Sequence, residues 1–151
     1  MISFKTEKVL IEQTHIYIYG TDNPEEILKD TFGKAMKRYM ESEKADVNYL
    51  HQVTGLSISA IYNYLDGKRK TSSDLLCAFC IALKLNPCRQ RHLFELTRII
   101  MPDTGLTSTK RERIIRFFLD SCFYSEVYTL ENCNRLLKRV NEKPLKAPFR
   151  N

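Results

Sequence analysis

Long apolar runs are missing from this 151-residue chain. No stretch approaches the roughly 18 residues that a membrane-spanning helix needs. The opening segment MISFKTEKVLIEQTH is interrupted by charge and has no small-residue cleavage pattern, so it does not read as a signal peptide. A soluble, cytoplasmic protein is the expectation. Glycine is scarce as well. Gly20, Gly33, Gly55, Gly67 and Gly105 are the only five, and no two lie close enough to build a phosphate-cradling loop. The three histidines (His15, His51, His92) fall in separate segments, none beside a Ser or Cys nucleophile in a recognisable turn. Glu25-Glu26 sits where a helix N-terminus favours negative charge, which explains the pair without chemistry. The expectation is a protein that is not an enzyme, with no catalytic residue and no cofactor.

Cysteine is present in an odd number: Cys77, Cys80, Cys88, Cys122 and Cys133. Without an export signal, reduced thiols are the simplest reading. Cys77-x2-Cys80-x7-Cys88-x3-His92 has the residue types of a zinc site. Against that, DLLCAFCIALKL reads as one continuous amphipathic helix, and buried free cysteine behaves as a small hydrophobe. Core cysteines and no metal are expected.

Charge is plentiful and unevenly placed. The net value is +6 and the isoelectric point about 9.1. Residues 1–33 carry three basic against six acidic side chains, 34–70 seven against four, and 88–151 thirteen against seven. A basic body behind an acidic first segment favours an anionic partner. The hydrophobic fraction of 43% with 28% charged residues is that of an ordinary globular protein rather than a disordered one.

Periodicity and capping signals divide the chain mainly into helices. THIYIYG (residues 14–20) alternates polar and apolar residues and predicts a strand. Asn23 as N-cap and Pro24 behind it open a helix expected to run to about Glu43, with Gly33 marking close packing or a break. Asp46 caps a short helix that Gly55 ends, and Ser57 caps a second that Gly67 ends. Ser72 or Ser73 opens the next, and Asn86-Pro87 opens another reaching about Met101. PDTGLTS (residues 102–108) reads as a linker. Thr109 and Glu112 form a capping box for the following helix, and Thr129 opens the last. The tail NEKPLKAPFRN reads as extended and basic.

The middle of the chain, LHQVTGLSISAIYNYLDGKRKTSSDLLCAFCIALKL, resembles the Cro/phage-repressor-like (XRE) helix-turn-helix family. Leu50, Gly55, Leu56, Ser57, Ile61, Gly67, Lys68, Arg69, Lys70, Ser72 and Leu83 carry the likeness, which covers about residues 31–97. It departs from the family at His51, where a small residue is usual, and at Thr71, where proline is usual. Met40 and Leu65 replace an Arg and a Glu that commonly pair across the fold. Replacing both with apolar side chains is physically consistent, because an apolar pair can match a buried ion pair in stability.

The resemblance implies a five-helix repressor-like helix-turn-helix domain over residues 23–101. An N-terminal segment (1–22) with a short strand would precede it, and a C-terminal helical extension (108–151) would follow. It also implies binding to double-stranded DNA as a homodimer and control of transcription in the bacterial or phage manner. On the second short helix, Leu56, Ile61 and Leu65 supply the face that holds it to its neighbour. Ile58, Ser59, Tyr62 and Asn63 then point outward as candidate base contacts. Asn can pair with adenine, Ser with several bases, Ile can touch a thymine methyl, and Tyr62 can also bond a phosphate. Lys68, Arg69 and Lys70, together with Lys44 and Asn48, are candidate phosphate contacts. The competing reading from another class is a helix-turn-helix used as a protein-interaction module, antitoxin-like or an inhibitor of a protein target in a mobile element. The apolar stripes of the last two helices either complete one core or serve a second copy.

Overall fold

A computed structural model describes residues 3–106 and 108–149. Its elements in chain order are α1 (Phe4–Tyr19), α2 (Pro24–Leu28), α3 (Phe32–Ser42), α4 (Val47–Thr54), α5 (Ile58–Leu65), α6 (Ser73–Ala82), α7 (Pro87–Thr97), α8 (Lys110–Ser121) and α9 (Leu130–Arg139). The fold is mainly α, and no strand occurs among the described residues. No described helix is long and apolar enough to cross a membrane.

The strand expected over residues 14–20 is instead the end of α1. Two local signals outweigh the alternation. Ser3 accepts a hydrogen bond from the Thr6 amide, and Gly20, at φ 73°, donates its N–H to the Ile16 carbonyl. A lone strand would have left its backbone unpaired, whereas a helix satisfies its own. The carbonyls of the last turn, which a helix cannot fill itself, are taken by side chains from the body. Arg38 Nε donates to Tyr19 O, and Asn86 Nδ2 and Arg89 Nε donate to Tyr17 O, while Tyr39 Oη stands 2.9 Å from Ile18 O. Cations at a helix C-terminus also complement its dipole.

The single helix expected from Asn23 to about Glu43 is two. Asn23 caps α2 as expected, but Thr31 starts α3 afresh by accepting the Lys34 amide. The break leaves Asp30 with its side chain 1% exposed, gripped by Arg38 and facing His92. That tertiary demand outranks helical periodicity, and residues 23–97 accordingly hold six helices, not five. Gly33 lies inside α3 and marks close packing. A Cβ there would stand 1.9 Å from the Leu65 carbonyl oxygen, so α5 crosses α3 with backbone nearly in contact.

α6 is the central element. All of its residues from Leu75 to Ala82 are buried, the pattern of a helix enclosed on every side. α4, α7, α8 and α9 pack around it. One core cluster joins Met36 and Tyr39 of α3, Leu50 of α4, Ile61 of α5, Leu93 of α7, Phe118 and Leu119 of α8, and Leu137 of α9. The apolar faces of α8 and α9 are therefore largely spent inside the monomer. The tail has no helix but is anchored: Leu145 and Phe149 are buried, and Leu145 exchanges two hydrogen bonds with the Asn134 side chain. The Thr109–Glu112 capping box is present as the sequence predicts. α7 stops at Thr97, short of Met101, because Arg98 turns left-handed at φ 58°.

Candidate nucleic-acid interface

The α4–α5 connection is fixed by interlocking local bonds. Asp46 caps α4 through the Tyr49 amide at 2.8 Å. Gly55 closes the helix at φ 78°, with its N–H on the His51 carbonyl, and that left-handed value favours glycine. The Thr54 hydroxyl, itself buried, donates to Leu50 O and accepts the Leu56 amide. Leu56 is buried and Ser57 caps α5 through the Ala60 amide. His51 turns outward, with Nδ1 on the Leu56 carbonyl at 2.5 Å, so the bulkier residue brackets the turn instead of prising the helices apart.

α5 has two faces of opposite character. Ile61, Tyr64 and Leu65 are buried, whereas Ile58, Ser59, Tyr62 and Asn63 are exposed together. The spacing i, i+1, i+4, i+5 puts these four on one stripe. Met40 and Leu65 are both buried and both line the groove beside this stripe, so no charge is stranded where the resemblance leads one to expect an ion pair. The hydroxyl of Tyr64 is the only buried side-chain polar atom without a partner among the described residues.

The proposed contact residues are not all gathered in one place. Asn48, Ile58 and Tyr62 share the groove between α3, α4 and α5. Lys37, which the sequence did not single out, lies on its rim in a 3.5 Å ion pair with Asp66. Glu41 and Asp46 also border that groove, so its potential is mixed. Arg69 and Lys70 line a separate hollow with Thr31–Gly33 and the end of α7. Arg69 stacks over the Tyr64 ring at 5.3 Å, within cation–π range. Beyond Gly67 (φ 76°), the amides of Lys68 and Arg69 both donate to the Asn63 carbonyl, at 2.9 and 3.2 Å, which ties the basic run to the exit of α5. Lys44 is left-handed at φ 54° and borders a third hollow, with Tyr49 and the end of α6.

The cysteine and histidine clusters read as structure. Cys77 and Cys80 are buried, as expected, and burial pushes the Cys77 thiol up to about 12 and that of Cys80 well above its ordinary value. Such burial suits small apolar core side chains. His92, the fourth member of the zinc-like spacing, faces elsewhere: Nδ1 lies 2.6 Å from Tyr39 Oη and Nε2 3.4 Å from Asp30. This buried Asp30–His92–Tyr39–Arg38 cluster was invisible in the sequence, where Tyr39 and His92 are 53 residues apart. It joins α1, α3 and α7. Among the described residues no group of three or more His, Cys, Asp or Glu is arranged to hold a metal. No protein-family model, curated protein or solved structure matches the chain.

Proposed function

We propose that this protein is a sequence-specific double-stranded DNA-binding regulator of transcription, repressor-like and cytoplasmic, acting as a homodimer without enzymatic activity or cofactor. Residues 31–97 serve as its helix-turn-helix unit, with α5 as the helix presented to the major groove. The observation that carries the reading is the division of α5: three large side chains seal its inner face while Ile58, Ser59, Tyr62 and Asn63 stand clear on the outer one. An inner face is needed by any packed helix. An outer stripe offering an amide, a hydroxyl, a phenol and an aliphatic group is a set able to read base edges. The Lys68-Arg69-Lys70 run at the exit of the same helix supplies phosphate contacts that set register, and the amide-bearing N-terminus of α4 beside Asn48 supplies another. Glu41 and Asp46 near the groove oppose indiscriminate attraction to phosphate, so correct docking depends on the outer stripe of α5. Selection of a random duplex pool on the purified protein, followed by footprinting of the enriched site, tests the proposal. A recurrent motif with a protected major groove supports it, while retention of all sequences alike, abolished by moderate salt, defeats it.

A further inference from the structure

α1 is a helix of 16 residues with no buried side chain. Only its C-terminal turn is bonded to the body, through Arg38, Tyr39, Asn86 and Arg89. A helix of that length is marginal in water unless something packs on it. Its apolar residues are not confined to one stripe: Phe4, Val9, Leu10, Ile11, Ile16 and Tyr17 are all exposed, and at 100° per residue they point in several directions. A helix apolar on many sides is normally enclosed, and the body encloses only its end. Next to that end the exposed surface continues, for Tyr17 meets Phe123 edge-to-face at 6.3 Å and Phe123 meets Tyr124 at 5.1 Å.

From this arrangement we infer that α1 and the Phe123–Tyr124 corner form the interface with a second copy of this chain. Area is the first argument. Phe4, Tyr17, Phe123 and Tyr124 are 84%, 42%, 41% and 69% exposed, and at on the order of 200 Å² per aromatic side chain they offer roughly 470 Å². The aliphatic residues of α1, each about half exposed, add about 200 Å². Because these residues lie on several sides of α1, a second copy that wraps around the helix covers a total approaching the roughly 800 Å² that one partner of a standard-size interface contributes. Charge is the second argument. α1 carries Lys5 and Lys8 against Glu7 and Glu12, a balance that leaves two copies without mutual repulsion and gives no attraction to phosphate or to an anionic membrane. Third, α8 and α9 offer less, because Ile115, Phe118, Leu119, Leu130 and Leu137 lie in the monomer's own core and leave only Phe117 and Leu136 of these two helices as exposed large apolar residues. Since α5 packs mainly on α3 and α4, pairing through α1 leaves the outer stripe of α5 open. The inference shares with the DNA reading only the expectation of two half-sites.

Light scattering on the full chain at tens of micromolar tests it, using Leu10→Glu/Ile11→Glu and, as a control, Leu28→Glu/Ile100→Glu, whose targets are 86% and 79% exposed and belong to neither α1 nor the Phe123–Tyr124 corner. The wild type and the control should show twice the 17.7 kDa chain mass, and the α1 variant a single mass, with dimer affinity weakened roughly 100-fold or more. Amide exchange across α1 should slow as wild-type concentration rises, which reads the interface even if the variant folds poorly. A wild type of single mass with concentration-independent exchange in α1 overturns the inference, as does dissociation of the control pair alone. If the dimer forms as described but selects no DNA sequence, the DNA reading falls and the interface stands. If a monomer still selects a sequence, the interface falls and the DNA reading stands.

Discussion

The hydroxyl of Tyr39 lies 2.6 Å from Nδ1 of His92 and 2.9 Å from the carbonyl oxygen of Ile18, yet it has one proton to give. In neutral His92, a proton on Nε2 suits the Asp30 carboxylate 3.4 Å away, so Nδ1 accepts from Tyr39. Protonated His92 donates from both nitrogens, and Tyr39 is then released to the carbonyl at the end of α1. The ring is held below its ordinary pKa of 6.5, first by burial and also by Arg38, with Asp30 and Glu95 pulling the other way. The Tyr19 ring packs on it edge-to-face at 4.9 Å.

The sign of the resulting pH dependence follows from linkage. Below 6.5 the unfolded chain takes up a proton at His92 before the folded one does, so stability falls as pH is lowered through that window and recovers above it. Urea unfolding at pH 7.5 and 5.5 should show a larger loss for the wild type than for His92→Gln, which has no titrating group at this position. Equal losses would mean that burial of His92 is not what makes the fold acid-sensitive.

Gly33→Ala should destabilise the protein by about 1–3 kcal/mol, the usual cost of overpacking. Alanine gains roughly 1 kcal/mol in helix propensity, but its methyl would meet a backbone oxygen that cannot rotate away. A lower denaturant midpoint at unchanged slope is the expected result. A stabilised variant would show that α5 does not cross α3 this closely.

Tyr64→Phe should be neutral or stabilising by up to about 1 kcal/mol, because the hydroxyl removed is buried without a partner. The cation–π contact with Arg69 uses the ring and survives. A loss above roughly 1 kcal/mol would reveal a hydrogen bond to that hydroxyl.

Caps were the most legible part of the sequence. Asn23, Asp46, Ser57, Asn86, Thr109 and Thr129 each cap the helix that follows them, because a cap depends on residues two or three positions apart. Ser72 rather than Ser73 takes that role for α6. What failed was decided at longer range. The alternation of residues 14–20 suits a strand, but Arg38, Tyr39, Asn86 and Arg89 supply the carbonyl partners that make a helix end there stable. Asp30 breaks the helix predicted from Asn23 to about Glu43 to meet Arg38 and His92, the latter 62 positions away. The two faces of α5 were readable from spacing. That Lys44 turns toward a different hollow from Asn48 depends on a left-handed backbone that no local pattern announced.

DNA binding by Asn63→Ala and Arg69→Ala, measured on the selected duplex and a scrambled one across several salt concentrations, tests the central claim most directly. If Asn63 reads a base, its loss should cost about 1–3 kcal/mol on the selected site, relax discrimination at one base pair and leave the salt slope unchanged. Arg69→Ala should weaken both duplexes about equally and lower the slope by roughly one unit. Unaltered affinities for both variants on both duplexes would contradict the account, placing α5 outside the DNA contact or DNA outside the protein's function.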